Sequence, residues 1–310
     1  MSGDGEQAGM NILMTGASGF IAQTLIPNLL AEGHKLWAWT RSPQHCDYLY
    51  GANLNCVAQL NELLNRDDAV HFDAIINLAG EGIADKRWSE ARKATLLSSR
   101  LDTTAALIRF IEQLDQKPTV LLSGSAIGFY GSHDSDEPLA EDGPINIGFT
   151  HELCRRWEEE ADKAREYGVR VCLLRTGIVL GKGGALAKMR LPFMMGMGGR
   201  VGSGKQWMSW VHIADEVRAI QFLLGNDHCS GAFNLTAPNA VQNLEFTRSF
   251  AQSLGRPSFM PLPDVVPKLM LGEGAELLLE GQRVYPKRLL QEGFQFSFEK
   301  IEDAFLDLES

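Results

Sequence analysis

The run Thr15-Gly16-Ala17-Ser18-Gly19-Phe20-Ile21-Ala22 sets glycines and small residues between an apolar stretch that reads as a strand and one that reads as a helix. The chemistry of that pattern is phosphate binding. The first turn of a helix leaves backbone N–H groups without intrahelical partners and carries the positive end of the helix dipole, so a pyrophosphate settles there. Gly16 lets the chain turn tightly, and Gly19 removes a side chain where the backbone must approach phosphate. The small Ala22 lets helix and strand lie close. The alternative is a strand–helix turn that is merely rich in glycine. The next apolar stretch ends in Trp39-Thr40-Arg41-Ser42. An acidic residue at that place would hold a ribose 2′-hydroxyl, whereas an arginine receives a 2′-phosphate. Arg41 therefore selects NADP(H) over NAD(H) as the expected cofactor, against the plainer reading of a surface arginine.

Such a turn needs a scaffold that brings strand ends to one edge. Short apolar runs alternate with helical stretches: strands at 10–15, 35–40, 54–57, 74–78, 119–123 and 170–175, and helices at 20–32, 88–114, 152–167 and 213–224. This alternation predicts an α/β fold, a Rossmann-type doubly wound parallel sheet with right-handed crossovers. Residues 181–204 are dense in Gly and Met and read as a loop region with one short helix. From about Asn239 the pattern is helical but broken by Pro257, Pro261, Pro263, Pro267 and Pro286. The expected organisation is an N-terminal overhang at 1–9 and a dinucleotide domain at 10–238 with a substrate loop at 181–210. A smaller, mainly helical lobe at 239–310 would then pack over the open end of the sheet.

The bulk numbers bound the function. The chain has 310 residues, 45% of them hydrophobic, and a formal net charge of −10. An acidic surface repels phosphate backbones, so no nucleic-acid partner is expected. No apolar run reaches the length of a membrane span, and residues 1–9 lack the apolar core of a secretory signal. Cys46, Cys56, Cys154, Cys172 and Cys229 are scattered and odd in number, which reads as reduced thiols in a cytoplasmic protein with neither a disulfide frame nor a metal site. The expected partner is a small-molecule substrate, bound by a monomer or a homodimer.

The turn, with Asn77-Leu78-Ala79-Gly80 after the fourth strand and Ser123-Gly124-Ser125 and Tyr130-Gly131 after the fifth, resembles the extended, atypical short-chain dehydrogenase/reductases. Arg87-Trp88, Ser99-Arg100, Arg175-Thr176-Gly177-Ile178-Val179-Leu180-Gly181, the segment Gly202 to His212 and the segment Gly281 to Leu290 narrow the likeness. They are similar to the subgroup called epimerase family proteins, in the NAD-dependent epimerase/dehydratase superfamily, with a small C-terminal domain of unknown function. The resemblance runs nearly the whole chain from Met10 and implies the fold and the cofactor. It implies that Thr15, Gly16, Ser18, Gly19, Phe20, Ile21, Arg41, Leu78, Ala79, Gly80, Ser123 and Arg175 line the cofactor.

The same resemblance implies a Ser, Tyr and Lys for proton transfer, the last two spaced Y-x-x-x-K at the start of a helix. Here the matching residues are Phe149 and Leu153, and neither transfers a proton. Ser125, at a strand end, is then the candidate for contact with a reacting oxygen, or else a turn-forming serine. Glu152 is the candidate acid or base if it is buried beside the cofactor, and otherwise a helix-start carboxylate that complements the dipole. His151 reads as a solvated helix residue and Tyr130 as structural. Sugar-nucleotide members grip the diphosphate with an arginine before the V-H-x-x-D segment, and Met208 stands at that place. Trp207, Met208, Trp210, Met194, Met195 and Met197 then read either as an apolar pocket wall or as core filling. Lys287 and Arg288 read as an anion site or a solvated basic helix end.

Overall fold

The structure, a computed structural model, describes residues 9–64 and 70–310. Of the expected overhang 1–9, all but Gly9 lies outside the described residues. The strands are β1 (Asn11–Thr15), β2 (Lys35–Trp39), β3 (Leu54–Val57), β4 (Ala74–Asn77), β5 (Val120–Ala126), β6 (Arg170–Thr176), β7 (Ile178–Leu180), β8 (Trp207–Met208), β9 (Trp210–His212), β10 (Gly231–Leu235) and β11 (Val241–Gln242). The helices are α1 (Phe20–Ala31), α2 (Pro43–Tyr50), α3 (Asn61–Leu64), α4 (Glu90–Gln113), α5 (Phe149–Asp162), α6 (Gly184–Met194), α7 (Ile213–Gly225), α8 (Asn243–Ser253), α9 (Val265–Leu271), α10 (Glu276–Leu279), α11 (Lys287–Gln291) and α12 (Ile301–Glu309).

Seven strands form one parallel sheet in the order β10-β6-β5-β4-β1-β2-β3. The strand order reverses between β1 and β4, which opens a crevice at their C-terminal ends. Strand alternation explains the layers. Ile12, Met14, Ile76, Leu122 and Leu174 join the core shared with α1 and α7, while Leu13, Ile75, Leu121 and Leu173 join the core shared with α4 and α5. At the strand ends the second face turns polar, with Thr15, Asn77, Ser123, Ser125 and Arg175 buried where the hydrophobic layer stops.

The sequence pattern does not predict β10 or α2. Gly231-Ala232-Phe233-Asn234-Leu235 opens on glycine and carries an asparagine, and its pairing with β6 makes it a strand. The helix predicted at 152–167 begins earlier, at Phe149, and closes in a tighter 3-10 turn at 163–167.

The C-terminal region is mainly helical, with its own core of Trp210, Phe246, Phe250 and Phe305. The V-H-x-x-D segment fastens it. Fully buried Asp215 accepts from the backbone N–H groups of Ser297 and Phe298 at 2.9 Å each, and His212 caps α7 through Nδ1 with its ring 3.9 Å from that of Phe298.

Beside Asp215, Glu216 is fully buried and accepts one bond, from Thr176 Oγ1 at 2.8 Å. Its Oε2 has no hydrogen-bond partner among the described residues. Burial pushes its carboxyl up to about 8. The unfolded chain releases this proton in the ordinary glutamate range, so the folded state loses stability as pH rises from there through about 8. Glu216→Gln is expected to keep the Thr176 bond and remove that slope, with a gain on the order of 4 kcal/mol above the folded pKa and little change near the unfolded one. Denaturant unfolding of both proteins across pH checks this; parallel pH profiles would contradict it.

Candidate functional site

The glycine turn closes β1 onto α1. Gly16 has φ +72°, and a Cβ there would lie 2.7 Å from the Leu78 backbone, so the position admits only glycine. Gly19 caps α1 without a side-chain bond, which leaves the first-turn amides facing the crevice. The Phe20 ring packs into the turn Gly181 to Gly184; a Cβ at Gly181, Gly183 or Gly184 would approach it to 2.5–3.1 Å. Phe20 thus offers the crevice its backbone amide, and Ile21 sits half-buried against the sheet core. Thr15 Oγ1 donates to Asn77 Oδ1 at 2.7 Å and accepts from Ala79 N, which ties the turn to the Leu78-Ala79-Gly80 loop across the crevice. Ser123 is fully buried and accepts from Asn77 Nδ2, so it braces this loop from below. Ser18 is exposed beside the turn. Arg41 leaves the end of β2 with its side chain 94% exposed, Nη2 3.7 Å from Glu81 Oε1. Open amides, a glycine cradle that a Cβ would fill and a projecting guanidinium fit a phosphorylated dinucleotide.

The residues expected to move a proton are arranged differently from the sequence reading. Glu152 lies on the outer face of α5, 45% exposed and paired with Arg155 at 2.7 Å, whose hydrogen bond holds its carboxyl below the usual range. Its condition for acid–base work, burial beside the cofactor, is not met, because its phase on α5 turns it to solvent. The carboxylate that does reach Ser125 is Glu158. Ser125 Oγ donates to Glu158 Oε1 at 2.6 Å, and both residues are 6% exposed. Arg175 grips Glu158 with two bonds, Nε to Oε1 at 2.8 Å and Nη2 to Oε2 at 2.9 Å. Arg175 also donates to Tyr130 Oη and to the Glu141 carbonyl, and its guanidinium lies 3.4 Å from the Phe129 ring centre. Its assignment to the cofactor is therefore corrected: each of its terminal nitrogens serves the protein. Glu158 escaped the sequence reading because it stands among Glu159 and Glu160. The signal that marks it is its place one helical turn after buried Cys154, on the inward stripe of α5.

Phe149 opens α5 in an edge-to-face contact with Trp88, 4.9 Å between ring centres, and with Lys93 Nζ 5.4 Å from its own ring centre. Leu153 is buried one turn on. His151 is also buried, its Nδ1 against the Phe129 carbonyl, which corrects the solvated placement. Tyr130 is structural: its hydroxyl, pushed up to about 12 by burial, donates to Asn234 Oδ1 at 2.6 Å.

On the substrate side, half-buried Met208 turns its sulfur to Asn243 Nδ2 at 3.2 Å. Trp210 is core, whereas Met194, Met195 and Met197 are exposed. Trp207 donates to Asp136 and carries the Arg283 guanidinium 4.7 Å from its ring. Arg288 is no anion site: it donates to the carbonyls of Ser230 and Ala232 and lies over Phe233. Lys287 stays half-exposed, 4.0 Å from Asp142. The five cysteines are free thiols. Cys229, with His228 and Glu292, forms a group whose ligand atoms lie within 4.8 Å of one another, at the far edge of the sheet. No helix among the described residues is long and apolar enough to cross a membrane.

Comparison with known proteins identifies a family. The model of the NAD dependent epimerase/dehydratase family matches residues 12–236, and that of a domain of unknown function, DUF1731, matches 262–308. The chain is 38% identical over 303 residues to the chloroplastic epimerase family protein SDR39U1 homolog of Arabidopsis thaliana, covering 96% of this chain and 86% of that one. It is 34% identical to the epimerase family protein YfhF of Bacillus subtilis, covering 96% and 98%. Among solved structures, the human epimerase family protein SDR39U1 with NADPH superposes at a TM-score of 0.86, with 34% identity over 97% of this chain and 99% of that one.

If Arg41 meets a 2′-phosphate, Arg41→Ala should weaken NADPH binding by about 10-fold or more, the loss of a charge-assisted contact, and leave NADH binding nearly unchanged. Titration calorimetry with both cofactors decides it. Equal losses would remove Arg41 from that role.

Proposed function

Because the chain belongs to the NAD dependent epimerase/dehydratase family, we propose that it binds NADP(H) at the turn Thr15 to Ile21 and interconverts a carbonyl and an alcohol on a small substrate without a nucleotide. The observation that carries this reading is the open crevice cradle with Arg41 exposed at the end of β2. A relative of 34% identity solved with NADPH supports the choice of cofactor.

The bound dinucleotide would supply or accept the hydride; this chain's residues would bind, orient and manage the proton. The amides from Ser18 to Ile21 would hold the pyrophosphate at the N-terminus of α1. Leu78, Ala79 and Gly80 would line the adenosine side. Phe149 and Trp88 form an apolar floor that excludes water. Ser125 takes the proton of the substrate alcohol as its own passes to Glu158 Oε1, which returns it to solvent before the next turnover; in reduction solvent supplies that proton and the two transfers run backwards. Arg175 keeps the Glu158 carboxylate oriented toward Ser125.

The substituted pair Phe149 and Leu153 favours a second reading, an NADP(H)-binding sensor or scaffold without turnover. A nucleotide-sugar epimerase fits less well, because Met208 turns away to Asn243 and supplies no diphosphate clamp.

Ser125→Ala should lower carbonyl turnover with NADPH by about 100-fold or more while NADPH affinity stays the same. Steady-state rates on a broad aldehyde and ketone panel, with cofactor titration beside them, test this. Unimpaired turnover in the variant would discard the Ser125–Glu158 relay. Tight NADPH binding with no turnover of any panel member would replace the reductase reading by the sensor.

A further inference from the structure

Around the floor of the cleft, three cations are already engaged, and several apolar side chains further out are exposed. Lys93 pairs with Glu273, Arg87 donates to the Leu269 carbonyl at 3.0 Å, and Lys188 pairs with Asp85. Diphosphate recognition would need such cations at liberty. The apolar groups continue outward from Phe149 and Trp88 along two walls.

One wall is α6. Lys188, Leu191 and Met195 follow one helical stripe, and since Lys188 meets Asp85, that stripe faces the loop of residues 83–88. The other wall is α9, which flanks the same loop through Arg87 and through the bond from Trp88 N to the Leu271 carbonyl at 3.0 Å. The walls are joined at their far end, where Val201 bridges to Leu262 and Gly202 N donates to the Leu262 carbonyl. Leu191 is 68% exposed, Met195 63%, Leu269 73% and Met270 67%. An apolar lip of this kind marks a binding surface on a soluble protein, and methionines adapt to a flexible occupant. A chain of net charge −10 is repelled by an anionic lipid surface. The lip is also continuous with the cofactor crevice, since α6 starts at the glycine turn packed on Phe20.

We propose that the substrate carries a long apolar chain, which runs from the carbonyl or alcohol carbon over Phe149 and Trp88 and out between α6 and α9. This rests on the reading of the cleft as a reductase site. The balance is the ordinary one: an aldehyde, NADPH and one proton give the primary alcohol and NADP+.

The test uses the full chain with saturating NADPH and straight-chain aldehydes from butanal to dodecanal, followed by loss of NADPH absorbance. In parallel, binding of the same aldehydes to the NADP+-loaded protein is followed by tryptophan fluorescence. kcat/KM should rise about 3-fold per added methylene over part of the series. Leu191→Glu and Leu269→Glu, both at exposed positions, should flatten that rise without changing NADPH affinity. Turnover that ignores chain length would overturn the apolar route and leave the reductase reading standing. A rise that survives both substitutions would also overturn it. Chain-length-dependent binding without turnover would support the route and sink the reductase reading. Neither turnover nor such binding would sink both. A concentration-dependent dimer in sedimentation velocity that Leu191→Glu abolishes, with chain length without effect, would assign the lip to a second copy of the chain.

Discussion

A bidentate ion pair between Arg175 and Glu158, shut away from water, organises the upper end of the sheet. Burying two charges costs several kcal/mol each before their attraction is counted, so such a pair persists only where every remaining donor finds a partner. Here Arg175 spends its third nitrogen on Tyr130 and the Glu141 carbonyl. Tyr130 passes the chain on to Asn234, whose amide reaches the carbonyls of Leu139 and Tyr285. Strand register makes this possible: Ser125, Arg175 and Asn234 are direct neighbours across β5, β6 and β10. One row of side chains therefore fixes α5, the segment after β5 and the C-terminal region against one another.

A second polar row lies toward the crevice, with Thr15, Asn77 and Ser123 in register across β1, β4 and β5. Asn77 is the hinge of that row, since it accepts from Thr15 and donates to Thr104 and Ser123. Trp157 joins through Thr104, which connects the cofactor loop to the same helix that carries Glu158. The two rows meet on α5, so the positions of the cradle and of the Ser125–Glu158 pair are set by one element.

What the sequence makes legible follows from how local each feature is. The glycine turn depends on residues within a single strand–helix junction, and its meaning survives without the rest of the chain. The sheet strands announce themselves by apolar runs with both faces covered. Glu158 is different. Its role exists only because Arg175, seventeen positions later on another strand, turns its guanidinium to the same side. The sequence does hold a trace of this: Val171, Leu173 and Arg175 share one face of β6, so Arg175 enters a buried layer and demands a carboxylate. Naming that carboxylate requires the phase of α5 relative to the sheet, and Glu152, Glu158, Glu159 and Glu160 all compete for it in one dimension. Similarly, β10 is a strand by pairing and not by composition.

The substitutions at Phe149 and Leu153 have been absorbed into the packing. Phe149 meets the Trp88 edge on one side and the Lys93 ammonium on another, and Lys93 is itself tied to Glu273 of the C-terminal region. Leu153 is 2% exposed, so a lysine at its place would bury an ammonium, a costly exchange unless a partner charge or a bound ligand compensates it. The apolar floor is thus a finished piece of structure, tied to the C-terminal region through Lys93 and Glu273 and set on α5. The cradle for the dinucleotide is built from backbone and needs none of these residues. On the proposed reading, cofactor binding and proton chemistry are therefore separable properties in this fold: the first would rest on one turn and the end of β2, while the second depends on which side chains the helix after β5 presents.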